Sequence, residues 1–320
     1  MSAKDLIRLR RTLVVGGAGF IGSHLTQLLA RMGGRQITVL GRSAAPRFPL
    51  PENVGYIKGN VGDIEILVPL LEDCDEVIDL AYASVPKTSF DDPTNDVLEN
   101  LPPSVTLLRQ CVKHGVKRVL LVSSGGTVYG NPHYLPIDEG HPTDPISPYG
   151  ITKLALEKYA QFFNRIEGLP VVIVRPGNPY GPNQLGMLQQ GFIGASIDAV
   201  LNNKTINVFG KRGTVRDYIF IDDLSRGLVA ALMSGETGKI YNIGTGIGYD
   251  NLAVLHILNE IVSKDGLAVN WYNEPQRSYD VTENVLSAAR LTHVSGWRPE
   301  ADLRRGLQLS WEWARKLRKL

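Results

Sequence analysis

A doubly wound, parallel α/β fold is predicted by three observations. Short β-rich apolar runs alternate with stretches of helical periodicity through the first half of the chain. A glycine cluster follows the first of these runs directly and opens the first helix. The regularity then breaks at Pro176, Pro179, Gly181, Pro182 and Gly186, after which short helices and strands mix. The expected organisation is a sheet domain over residues 1–175 and a smaller mixed α/β carboxyl-terminal domain over residues 176–320, some segments of which return to the first.

The strands fall at residues 12–15, 37–40, 77–80, 119–123 and 171–175, each rich in β-branched or aliphatic residues. Between the first two, Ile21, Leu25, Leu28 and Leu29 share one helical face, and Gly33-Gly34 stops the helix. The helix carrying Asn100 meets Pro102-Pro103, which predicts a kink or an early end. The last helix places Leu303, Leu307, Trp311 and Ala314 on one face. It ends in Arg315, Lys316, Arg318 and Lys319, which suits the helix macrodipole.

Composition narrows the function classes. With 320 residues, 43% of them hydrophobic, the chain can bury a sizeable core. Lys and Arg total 34 against 32 Asp and Glu, so no charge excess points to nucleic acid or a membrane surface. The first eleven residues lack the apolar core of a signal peptide and no run is long enough to span a bilayer, so a cytoplasmic location is expected. Cys74 and Cys111 read as buried thiols rather than a disulfide. The six histidines show no ligand spacing, and no metal is expected.

Gly16-Gly17-Ala18-Gly19-Phe20-Ile21-Gly22 has the context a Rossmann dinucleotide turn requires. Gly16 permits the tight turn, Gly19 lets backbone approach a pyrophosphate, and Gly22 allows helix to pack on strand. Free N–H groups at the helix start, around Phe20 and Ile21, then face the phosphates. The second strand ends in Leu40-Gly41-Arg42-Ser43, without the acid that usually binds an adenosine ribose 2′-hydroxyl. Arg42 and Ser43 would accept a 2′-phosphate, so NAD and NADP are both open.

Tyr149 and Lys153 lie four apart at the start of a helical stretch, so both side chains share a face. A phenol with a reference pKa of about 10 is a poor base at neutral pH, and a nearby ammonium favours the phenolate. The pair is therefore the candidate proton acceptor for an oxidation at a sugar hydroxyl.

These motifs, taken in order, resemble the extended short-chain dehydrogenase/reductase family, in particular its nucleotide-sugar epimerases. The match adds Leu80-Ala81, Asn100, Ser123-Ser124, Thr127-Val128-Tyr129-Gly130, Ser147-Pro148-Tyr149-Gly150, residues 175–181 and Val215-Arg216-Asp217-Tyr218-Ile219. The resemblance implies a cofactor wall that includes Asn60, Val61, Leu80, Ala81, Tyr82, Asn100 and Pro176. It also implies that Ser84, Asn178, Asn207, Phe209, Arg216, Arg277 and Asp280 bind a nucleoside-diphosphate sugar, a UDP-hexose or UDP-N-acetylhexosamine, in a homodimer.

Three departures matter. Asn60 stands where an aspartate usually meets the adenine amino group. The Ser or Thr three residues before Val128 is replaced by Gly125, leaving Ser124, with Thr127 as the other neighbour, to supply a third catalytic hydroxyl. Gly125-Gly126 also lacks the acids that follow in the 4,6-dehydratases. The expected reaction is 4-epimerisation; an NADPH-dependent 4-ketoreductase is the alternative, and a non-catalytic dinucleotide sensor comes third.

Overall fold

The computed structural model describes residues 8–184, 191–276 and 281–318. The strands are β1 (Arg10–Val15), β2 (Arg35–Gly41), β3 (Val54–Lys58), β4 (Glu76–Asp79), β5 (Arg118–Val122), β6 (Val171–Pro176), β7 (Asn178–Tyr180), β8 (Ile206–Phe209), β9 (Val215–Phe220), β10 (Ile240–Ile243), β11 (Gly248–Tyr249), β12 (Trp271–Glu274) and β13 (Glu283–Asn284). The helices are α1 (Phe20–Met32), α2 (Ile64–Leu71), α3 (Pro86–Asp91), α4 (Pro93–Lys113), α5 (Pro148–Glu167), α6 (Phe192–Leu201), α7 (Ile221–Ser234), α8 (Asn251–Val262), α9 (Ala289–Ser295) and α10 (Leu303–Arg318).

Seven parallel strands form the central sheet in the order β3-β2-β1-β4-β5-β6-β10. Side chains alternate between its two faces, as the strand period requires. Val14, Ile78, Leu120 and Val172 pack toward α1 and α7. Leu13, Val77, Val119 and Ile173 pack toward α2, α4 and α5. Both faces are covered, which is why the strands read as continuous apolar runs.

All five expected strands form, and the sheet gains two more. β3 is an edge strand whose residues are half-buried or exposed, so its apolar signal is weak. β10 comes from the second half of the chain and pairs with β6, from Ile240 on Ile173 to Ile243 on Pro176. Beyond the sheet, β7, β9, β11 and β13 make a four-stranded sheet and β8 pairs with β12.

The expected early end at Pro102-Pro103 does not occur: α4 runs 21 residues from Pro93 to Lys113. The two missing N–H groups would have met the carbonyls of Leu98 and Glu99, both exposed, where water can take their place. The flanking turns are held by packing against α5. In α1, Leu25 and Leu29 are fully buried, and Gly33 ends the helix at a positive φ of 72°. Leu303, Leu307, Trp311 and Ala314 are buried along α10. Cys74 and Cys111 are buried free thiols. Among the described residues no helix is long and apolar enough to cross a membrane.

Candidate active site

Strand order reverses between β1 and β4, so the chain leaves these two strands toward opposite faces and a crevice opens at their carboxyl ends. A cavity of about 1150 Å³ occupies it.

The turn from β1 to α1 forms one wall. Gly16 holds a positive φ of 77°, and a Cβ there would lie 3.0 Å from the Ala81 backbone nitrogen. A Cβ at Gly22 would press on the Gly16 carbonyl oxygen and come within 2.6 Å of Gly17 Cα. The protein's own backbone therefore demands glycine at both. Gly19 is different. A Cβ there would meet one protein atom, the Gly16 oxygen at 3.3 Å, so the missing side chain widens the cavity that Gly19 lines. α1 begins beside it with no side-chain cap and no acid in its first turn. Its first N–H groups are left for an anion, and Phe20, Ile21 and Gly22 line the cavity. These residues fit a dinucleotide pyrophosphate.

At the far end of this wall a Cβ on Gly41 would stand 2.8 Å from the Tyr56 hydroxyl, which donates to the Ser43 carbonyl at 2.8 Å. Arg42 and Ser43 line the cavity, as do Asn60 and Val61. The Asn60 side-chain oxygen accepts the Gly62 N–H at 3.0 Å. Leu80, Ala81, Tyr82 and Pro176 also line it. Asn100, buried in α4, accepts the Ala83 N–H at 2.6 Å and donates to Ser84 Oγ at 3.2 Å, tying the loop after β4 to the helix.

The proton pair sits at the start of α5. Ser147 caps the helix by accepting the Gly150 N–H at 3.1 Å, and the Tyr149 N–H donates to Ser89 Oγ at 3.1 Å. One turn on, Lys153 donates from Nζ to the Val122 carbonyl at 2.9 Å. Its ammonium lies 4.1 Å from the centre of the Tyr82 ring and 5.9 Å from that of Tyr149. The Tyr82 and Tyr149 rings meet edge to face at 4.7 Å.

Burial dominates the electrostatics. It pushes the Tyr149 phenol up, a hydrogen bond with the Ser124 side chain pulls it down, and the charge of Asp96 adds to the rise. Burial lowers Lys153 to about 8, against the opposing charges of Asp79, Glu157 and Asp96. Burial raises Asp79 to about 6, opposed by Lys153, the Ala81 N–H and Ser104. A lysine with little cost of losing its proton thus lies beside a tyrosine that needs help to lose its own.

Behind the pair is a buried ion pair. Arg175 donates from Nε and Nη2 to the two carboxylate oxygens of Glu157 at 2.9 and 2.6 Å. Ser123 Oγ donates to the same carboxylate, and the guanidinium lies 4.7 Å from the Tyr129 ring centre. Glu157 thereby fixes the strand end that presents Ser124.

Gly125 cannot carry the third hydroxyl itself, and no side chain fits beside its strand. A Cβ there would lie 2.5 Å from Leu286 Cδ1 and 2.9 Å from the Arg175 carbonyl oxygen. Ser124 stands against Tyr149; Thr127 also lines the cavity, with a buried Oγ1 that finds no hydrogen-bond partner among the described residues.

On the remaining wall, Asn178 lines the cavity with a buried Oδ1 that has no partner among the described residues, and Arg216 and Ser84 join it. Ser84 Oγ donates to Asp96. Asn207 and Phe209 lie on β8, apart from the cavity wall, and Arg277 and Asp280 lie outside the described residues. Sequence reasoning passed over Asp79, Glu99, Glu157 and the contact of Tyr82 with Lys153. Only Glu157 left a usable signal, since it continues the spacing of four from Tyr149 and Lys153.

Residues 12–244 match the model of the NAD dependent epimerase/dehydratase family. The chain is 30% identical over 304 residues to a putative UDP-glucose 4-epimerase of Methanocaldococcus jannaschii, covering 94% of this chain and 97% of that protein. The crystal structure of UDP-glucose 4-epimerase from Thermotoga maritima, solved with UDP-glucose, superposes with a TM-score of 0.89 at 32% identity, over 96% of this chain and 99% of that one. A dTDP-glucose 4,6-dehydratase from Streptomyces venezuelae, solved with NAD, gives 0.88 at 28% identity, over 97% and 98%. The chain belongs to the NAD-dependent epimerase/dehydratase family, as an enzyme of the extended short-chain dehydrogenase/reductase type.

Proposed function

We propose that this enzyme interconverts C4 epimers of a UDP-hexose. The observation that carries the reading is Tyr149 in contact with Ser124 on one side and beside Lys153 on the other, followed along the strand end by Gly125-Gly126 rather than by acids. A dehydratase needs a second acid/base pair for elimination, and the residues after Ser124 offer none. A nicotinamide held by this cavity would supply reversible hydride transfer at C4 of the sugar.

The protein's own work is proton handling. Ser124 holds the C4 hydroxyl against Tyr149, which takes its proton as base and returns one as acid. The Lys153 ammonium, anchored on the Val122 carbonyl, stabilises the phenolate. The side-chain N–H donors of Asn178 and the Arg216 guanidinium suit the sugar diphosphate. The exposed apolar residues Leu98, Ile151, Phe162 and Ile166 on α4 and α5 support pairing with a second copy, which light scattering tests as a particle of twice the 35.1 kDa chain mass.

The deciding experiment offers the purified protein UDP-glucose, UDP-N-acetylglucosamine and a UDP-4-keto sugar with NADPH. The expected result is interconversion of C4 epimers with no net use of cofactor, reduced about 10²–10⁴-fold by Tyr149→Phe. Stoichiometric NADPH loss would establish the ketoreductase instead, and near-normal turnover by Tyr149→Phe would remove that residue from the mechanism.

A further inference from the structure

We infer that Glu99 supplies, from α4, the carboxylate that the end of β2 lacks, and that it thereby selects NAD over NADP. The inference rests on the reading of the cavity as a dinucleotide site and concerns how this chain tells the two cofactors apart.

A side chain at position 41 would have to displace the half-buried Tyr56, whose hydroxyl stands 2.8 Å from where its Cβ would be. β2 ends in Gly41 and carries no acid to receive the adenosine ribose. Glu99 reaches the same place from another element: its Oε2 lies 3.6 Å from Arg42 Nη1, and both residues line the cavity. Two contacts fix this turn of α4 at the adenosine end. Asn100, the next residue, is bonded to the Ala83 N–H. Pro103, one turn on, packs 3.3 Å from the Cβ position of Gly62, beside Asn60 and Val61.

Arg42 alone would invite a 2′-phosphate. Paired with Glu99 its charge is already answered, and a phosphate of nearly two negative charges would approach a carboxylate. A ribose 2′-hydroxyl, by contrast, can donate to that carboxylate. The identity of one half-exposed glutamate on a helix thus sets the cofactor, while the strand end only makes room for it.

The test is direct binding. Nucleotide released from the purified protein is identified by mass, and NADH and NADPH are titrated by fluorescence into wild type, Glu99→Gln and Arg42→Ala. Wild type is expected to carry NAD(H) and to favour NADH. A hydrogen bond to a charged acceptor predicts that Glu99→Gln weakens NADH about tenfold and, by freeing Arg42, tightens NADPH by a similar factor. Arg42→Ala should keep the preference for NADH. A wild type that prefers NADPH, a Glu99→Gln variant whose NADH/NADPH ratio stays within about twofold of wild type, or a loss of preference in Arg42→Ala each overturns the inference. Binding of neither nucleotide by wild type would overturn the dinucleotide reading itself, a distinct result.

Discussion

Placing a serine at residue 125 should damage this protein. In Gly125→Ser the new Cβ meets Leu286 Cδ1 at 2.5 Å and the carbonyl oxygens of Arg175 and Pro176 at 2.9 and 3.0 Å. Leu286 is fully buried in a small cluster with Val128, Tyr129 and Ile137, so its methyl group has nowhere ready to go. The two oxygens belong to β6, which is pinned locally because the Gly125 N–H donates to Pro176 O and the Ser123 N–H to Val174 O, both at 2.8 Å. Overpacking of this kind costs about 1–3 kcal/mol, and one apolar and two backbone clashes together place the variant near ~3 kcal/mol. Leu286→Ala alone should lose about 2–5 kcal/mol through its cavity. In the double variant the serine fills part of that space, so the losses should sum to less than their total by about 1 kcal/mol or more. Urea denaturation followed by fluorescence measures all three. Turnover provides the second readout: Gly125→Ser should fail to rescue Ser124→Ala. A Gly125→Ser protein within about 0.5 kcal/mol of wild type, or one that restores turnover to Ser124→Ala, would refute the steric argument and return the third hydroxyl to position 125.

Two further outcomes follow from the buried charges. The Asp79 carboxylate holds Lys153 up against burial, so in Asp79→Asn the ammonium, already lowered to about 8, should lose its proton at lower pH. The alkaline fall of kcat should then move down by about one pH unit, and a fall that stays in place counts against Lys153 acting as the ammonium. Glu157→Gln leaves the Arg175 guanidinium buried without its carboxylate and should destabilise the fold by about 3–5 kcal/mol. Replacing both partners by methionine should be far milder; a loss below about 1 kcal/mol in Glu157→Gln alone would mean that Arg175 is answered elsewhere.

The parts of the site that were legible in the sequence are those whose signal is local. Gly16 and Gly22 are required by backbone contacts within a few residues or with the neighbouring strand, and Tyr149 and Lys153 share a face through helix period alone. The same local reasoning did not foresee that α4 continues past Pro102-Pro103, where packing on α5 and water at exposed carbonyls hold the helix that intrinsic propensity would end. β10 escaped notice because its place in the sheet depends on β6, which lies more than sixty residues earlier in the chain.

The sequence by itself determined the class of fold, the dinucleotide turn and the proton pair, since each follows from spacing that a helix or a strand converts directly into a shared face. The tertiary structure alone decided what surrounds them. It brought Tyr82 onto Lys153, Asp79 to the same ammonium, Leu286 against Gly125 and Glu99 beside Arg42. These partners come from separate elements, and only burial and strand order make them neighbours, so their effects on proton and cofactor have no counterpart in any local pattern.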